Sequence, residues 1–109
     1  MIETLPKKQT INVPVAFHLF STPVHVTFEE EIHTPSGEEA LGFSNAQQAS
    51  IVLSEKIKQY KSLLTDTFYH ERTHMILDSM GRADLSADEP FVETFSRLLK
   101  QADETAIYI

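Results

Sequence analysis

The chain has 109 residues, 41% hydrophobic and 23% charged, which predicts one soluble α+β-sized domain over residues 1–109. Sixteen acidic residues face nine scattered basic ones, for a net charge of -7, so nucleic acid is not an expected partner. Cysteine is absent, which excludes disulfides, thiolate metal sites and a cysteine nucleophile; any metal must be held by His, Asp and Glu, as zinc can be.

No run of eighteen apolar residues is present, so no membrane span is expected. The first residues, Met-Ile-Glu-Thr-Leu-Pro-Lys-Lys, lack the apolar core of a signal peptide. Together with the missing cysteines this suits a cytoplasmic protein.

From Ile11 to about Leu53 the hydrophobic period is mostly two. Val13, Val15, Phe17 and Leu19 fall on one face, and Asn12, Pro14, Ala16 and His18 on the other. Ser21-Thr22-Pro23 reads as a turn, followed by a half-buried strand in which Val24, Val26, Phe28 and Ile32 alternate with polar residues. Thr34-Pro35-Ser36-Gly37 is a second turn. Leu41-Gly42-Phe43 and Ser50 to Leu53 are two further short strands. His18, His25 and His33 all sit on the polar parity of their strands, where histidine is merely tolerated, and Glu29-Glu30-Glu31 reads as a solvated strand edge.

After Ser54 the period becomes helical, with Leu63, Leu64, Phe68, Met75, Ile76, Leu77 and Met80 at helix spacing. No Gly or Pro interrupts Glu55 to Met80, and Gly81 is placed to cap that helix. Gly81 to Ser86 reads as a short connection. Asp88 then caps a last helix from about Glu89 to Glu104, with Pro90 in its first turn and an apolar stripe of Phe91, Phe95, Leu98, Leu99 and Ala102 expected to enter the core. Strands followed by helices predict an α+β fold: a small antiparallel or mixed sheet packed against two helices.

Residues 70–74 read His-Glu-Arg-Thr-His. On a helix, positions i and i+4 share a face with Cβ atoms about 6 Å apart, so the His70 and His74 rings can converge on one ion. Glu71 is turned about 100° away, which removes it as a ligand and leaves it in reach of a water on the metal, the place of a general base. A catalytic zinc usually has three protein ligands. The downstream carboxylates are Asp78, Asp84, Asp88, Glu89, Glu93, Asp103 and Glu104. Glu93 is the expected third ligand because it lies off the apolar stripe of the last helix; Glu89, one turn earlier, is the runner-up. Tyr69 and Ile76, opposite the histidines, are expected in the core, and Arg97 is read as an exposed helix arginine.

A helix bearing His-Glu-x-x-His (HExxH), a glycine turn and a second helix supplying a glutamate resembles the gluzincin clan of metallopeptidases. The resemblance is closest to the minimal, roughly hundred-residue gluzincin-like proteins of phage and prophage. It covers about residues 24–104 and rests on Leu41-Gly42-Phe43, Ile51-Val52-Leu53, Leu64 to Gly81, and Phe91 to Leu99. It implies a zinc-dependent peptidase with His70, His74 and Glu93 as ligands and Glu71 as the base, acting on a peptide or protein substrate inside a bacterial host cell. Substrate would lie extended along an edge strand, expected near Ser44 to Leu53. The clan usually adds a downstream His or Tyr to stabilise the oxyanion; after Glu93 this sequence offers only Tyr108. The competing expectation is a zincin-fold binding module without catalysis.

Overall fold

The structure, a computed structural model, describes residues 13–109. Ile11 and Asn12, expected to begin the first strand, lie outside the described residues. Four strands form one mixed sheet: β1 (Ala16–Leu19), β2 (Thr22–Glu29), β3 (Gly42–Asn45) and β4 (Ser50–Ser54), in the order β1-β2-β4-β3. β1 with β2 and β3 with β4 are antiparallel, while β2 and β4 run parallel. The α+β class expected from the period change is therefore observed.

The alternating strand pattern sets one apolar face. Val24 and Val26 of β2 are buried, and Ile51 and Leu53 of β4 are wholly so. The register pairs Val26 with Ile51 and Phe28 with Leu53, and on the other side of β4 pairs Ser44 with Ile51 and Gly42 with Leu53. These residues thus share one face. The first helix of the site, α1 (Lys61–Ser79), lies over β3 and β4 on this face and adds Phe68, Tyr69 and Met75 to the cluster. Each such fully buried apolar side chain contributes about 1.5–3 kcal/mol.

Three expected boundaries move. The first hairpin closes with the two residues Phe20–Ser21, Phe20 adopting φ 54°, so Thr22 and Pro23 belong to β2 and not to the turn. β2 ends at Glu29; beyond it Ile32 is still buried, and His33 bridges Glu39 across the Thr34–Gly37 turn, where Gly37 has φ 89°. The helix expected from Glu55 is split. Ser54 Oγ accepts from the Lys56 N–H at 3.2 Å and starts a separate 3-10 turn, Glu55–Ile57, which buries Ile57; the chain then turns and α1 begins at Lys61. The strand directly before the helices, β4, is also interior to the sheet, so the edge on α1's side is β3 and not the Ser50–Leu53 strand.

α1 stops where Gly81 takes φ 73°, its N–H bonding the Asp78 carbonyl at 3.0 Å. The connection that follows contains a single-turn helix, α2 (Ala83–Ser86). Asp88 Oδ1 accepts from the Phe91 N–H at 3.2 Å and opens α3 (Glu89–Thr105), with Pro90 in the first turn as expected.

The orientation of α3 corrects the expected packing. Of the apolar stripe, Leu99 packs against the core and Phe91 is half-buried, but Phe95 and Leu98 are 47% and 60% exposed, while Val92, Ser96 and Lys100 are buried. The helix meets α1 through a polar line, Glu89, Glu93, Ser96 and Lys100, spaced i, i+4, i+7 and i+11. Lys100 Nζ donates to the Ser62 carbonyl at 3.3 Å and to Asp66, and the Tyr69 hydroxyl donates to Asp103 Oδ2 at 2.6 Å. Paired polar groups fix the helix in an orientation that its apolar stripe alone would not choose. No helix among the described residues is long and apolar enough to cross a membrane.

Candidate metal centre

The second half of α1 carries the centre. Helix spacing puts His70 and His74 side by side, with ring centroids 4.9 Å apart and their Nε2 atoms 3.2 Å apart. The residues between them serve the core: the Thr73 hydroxyl, buried, donates to the Tyr69 carbonyl at 2.8 Å, and the Arg72 guanidinium lies over the rings of Tyr69 and Phe68 at 4.4 and 5.2 Å. Both contacts lie within α1 and leave the face carrying the histidines to α3.

The polar line of α3 delivers two carboxylates to this point. Glu89 places Oε2 at 3.2 Å from His70 Nε2 and Oε1 at 3.2 Å from His74 Nε2. His70, His74 and Glu89 are a set whose ligand atoms converge. Glu93, the expected third ligand, faces the other nitrogen of His70: Oε2 is 3.0 Å from Nδ1. It is therefore the runner-up, Glu89, that meets both Nε2 atoms. The two glutamates share one face of α3, and it is their position along the helix axis that differs: the first turn reaches both Nε2 atoms, and Glu93, one turn on, meets Nδ1 of His70.

Each ring is also oriented from behind. A carboxylate only accepts, so in this contact Nδ1–H of His70 donates to Glu93. Arg97 Nη2 in turn lies 2.7 Å from Glu93 Oε1, so this mostly exposed arginine has a partner in the centre. His74 Nδ1 is 3.0 Å from Ser86 Oγ, brought there by α2, whose start is tied by Arg82 to Asp84 at 3.0 and 2.9 Å. Outer partners of this kind select the tautomer and orientation a metal needs.

His70 Nε2, His74 Nε2 and the Glu89 carboxylate lie within 3.2 Å of one another, three potential ligand atoms close enough to share one cation. The spacing fits a small ion. Tetrahedral zinc with bonds of about 2.0–2.1 Å requires ligand atoms about 3.3–3.4 Å apart. The donor set, two neutral imidazoles and one carboxylate, is also one that zinc takes in catalytic sites.

Glu71 points from α1 toward β3. Burial raises its carboxyl above the ordinary value, opposed by the nearby His70 and His74 and by a hydrogen bond from Ser44; Glu89 adds to the rise. A cleft of about 240 Å³ opens beside His70, lined by Leu41, Leu63, Thr67, Glu93 and Arg97 among others.

The other carboxylates weighed as ligands lie elsewhere. Asp84 pairs with Arg82, Asp88 caps α3, Asp103 accepts from Tyr69, and Glu104 lies 3.8 Å from Lys100. Asp78 is exposed at the end of α1, and His18, His25 and His33 are exposed as expected. Tyr69 is buried, and Ile76 half-buried. Sequence reasoning missed Ser86 and Ser44. Ser86 sits in a helix too short to leave a periodic signal, whereas Ser44 shares the strand parity of Gly42 and was accessible by that route. No protein family, curated protein or solved structure matches this chain.

Proposed function

We propose that this chain is a zinc-dependent peptidase of minimal gluzincin-like type, with zinc held by His70, His74 and Glu89 and with Glu71 as the general base. The observation that carries the reading is the triangle of 3.2 Å separations among His70 Nε2, His74 Nε2 and the Glu89 carboxylate, with Glu71 one residue from the first histidine but on a different face. Glu93 and Ser86 then act as orienting partners of the two rings. Glu93 takes that place instead of the ligand role expected for it.

Zinc in such a site supplies Lewis acidity, lowering the pKa of a water toward about 7 and polarising a carbonyl. Glu71 accepts the water's proton as the peptide carbonyl is attacked and returns it to the leaving amine. β3, the terminal strand of the sheet among the described residues and packed on α1, offers its outer edge to an extended peptide by strand addition. The cleft beside His70 leaves room for a substrate side chain.

One observation favours a second reading, a metal-holding module of zincin-like fold without turnover. Tyr108, the tyrosine that follows Glu93 in the chain, is 85% exposed and so is not built into an oxyanion site. Cleavage of a broad peptide mixture by zinc-loaded wild type and by Glu71→Gln separates the two. The peptidase reading expects cleavage by wild type and loss of about 100-fold or more in Glu71→Gln, with zinc content kept. Equal behaviour of the two proteins supports the module.

A further inference from the structure

The sheet has a second terminal strand, β1, at the end away from α1, which lies over β3 and β4. Within its hairpin the Val26 N–H donates to the Val15 carbonyl at 2.9 Å, and the register pairs Ala16 with His25 and His18 with Pro23. Antiparallel ladders alternate, so residues 15, 17 and 19 bond to β2 while Ala16 and His18 turn their N–H and C=O groups outward. Among the described residues these outward groups meet no backbone partner.

Exposed strand edges are ordinarily guarded by charge. Here that guard is missing: between Lys8 and Glu29 the chain has no Asp, Glu, Lys or Arg, in a molecule of net charge -7. Large apolar side chains stand at both ends of β1 instead, Val15 being 81% and Phe20 88% exposed. Phe20 also has φ 54°, in the left-handed region, at the first position of a two-residue turn where Gly or Asn sits with less strain. A bulky aromatic that is both strained and exposed does nothing for the hairpin that carries it, which points to a contact outside the chain.

We propose that the outer edge of β1 pairs with β1 of a second copy of this chain, antiparallel about a two-fold axis, so that two four-stranded sheets become one. Ala16 and His18 of one copy exchange backbone hydrogen bonds with His18 and Ala16 of the other, outward groups meeting outward groups as the ladder requires. In that register Phe20 lies opposite Pro14 of the second copy. Charge selects the partner: two copies at net charge -7 approach with least repulsion along a segment that carries none, and a two-fold seam needs no second surface. β1 and β3 are opposite ends of the sheet, so the seam leaves both metal centres open and does not depend on the peptidase reading. A strand of four residues makes a small seam, so the dimer is expected to form at roughly 10–100 µM protein.

Sedimentation velocity of the full chain over roughly 5–500 µM, with amide hydrogen exchange at both ends of that range, tests the seam. The expected result is a shift from 12.4 kDa toward twice that mass, with the Ala16 and His18 amides protected only at high concentration. A 12.4 kDa species throughout overturns the proposal. So does a dimer in which these amides exchange freely, which uses another surface. Protection that is equal at every concentration overturns it too, because another part of the same chain then covers the edge. His18→Pro removes an outward N–H that the hairpin does not use and is expected to weaken the dimer at least about 10-fold with an unchanged circular dichroism spectrum. Phe20→Asn relieves the turn and removes the aromatic, so it is expected to raise the thermal midpoint at low concentration while weakening the dimer. An unchanged dimer in either variant contradicts the seam, and a less stable Phe20→Asn monomer shows that Phe20 serves the fold instead.

Discussion

Glu93 Oε2 lies 3.0 Å from Nδ1 of His70, on the side of the ring away from Glu89, while its other oxygen takes Arg97 at 2.7 Å. A group at this position acts on a metal through the histidine and not by direct contact. Glu93→Gln keeps an acceptor for Nδ1–H but removes the charge. Its zinc affinity, measured by calorimetric titration, is expected to fall about 10- to 100-fold, as for other outer-sphere partners. Glu89→Ala is expected to lose far more. The reverse ranking would make Glu93 the ligand.

The Tyr69 hydroxyl gives a pH signature. Burial, and the hydrogen bond to Asp103, push its pKa from the ordinary 10.0 up to about 12. The folded state favours the protonated phenol, so its contribution is complete below pH 10 and is lost as the pH rises from about 10 to 12. The stability of wild type is expected to fall across that window by roughly 1–3 kcal/mol more than that of Tyr69→Phe. Parallel stability–pH curves for the two proteins would remove Tyr69–Asp103 as a tie between α1 and α3.

Lys100 is the other tie. Its side chain is 10% exposed, whereas that of Asp66 is 46% exposed, so solvent screens part of the pair. Asp66→Ala leaves the lysine nearly buried with fewer partners and is expected to cost about 1–3 kcal/mol in urea unfolding. Lys100→Met, which keeps the packing and removes the charge, is expected to cost less than Asp66→Ala.

The outward turn of α3 predicts which of its apolar residues bear stability. Val92 is fully buried, and Val92→Ala is expected to cost about 1–3 kcal/mol in the same assay. Leu98, 60% exposed, should tolerate Leu98→Gln within about 0.5 kcal/mol. A large loss in Leu98→Gln would place the stripe in the core after all.

The residues that were legible in the sequence are those whose position follows from period. Val24, Val26, Ile51 and Leu53 alternate and are buried; His70 and His74 are four apart and converge; Asp88, Pro90 and Gly81 mark helix ends that the structure keeps. What depended on how one element rotates against another was not legible. Of the stripe Phe91, Phe95, Leu98, Leu99 and Ala102, Leu99 packs against the core and Phe91 is half-buried, whereas Phe95 and Leu98 face outward, and the partners of Lys100 and Tyr69 show that the polar line is packed as well. Glu89 and Glu93 share that line one turn apart, and which of them meets both Nε2 atoms depends on how far α3 lies along α1. The order of strands is equally hidden, because short strands carry no sign of which neighbour they pair with; the edge expected near Ser44 to Leu53 spans the end of β3, which is terminal, and β4, which is interior.

Zinc analysis of protein purified without chelator, on wild type, His74→Ala and Glu89→Ala side by side, tests the metal centre most directly. One zinc per chain in wild type and little or none in either variant is the predicted result. A wild type without zinc, or a Glu89→Ala protein that holds the metal as tightly as wild type, would contradict a site built from His70, His74 and Glu89.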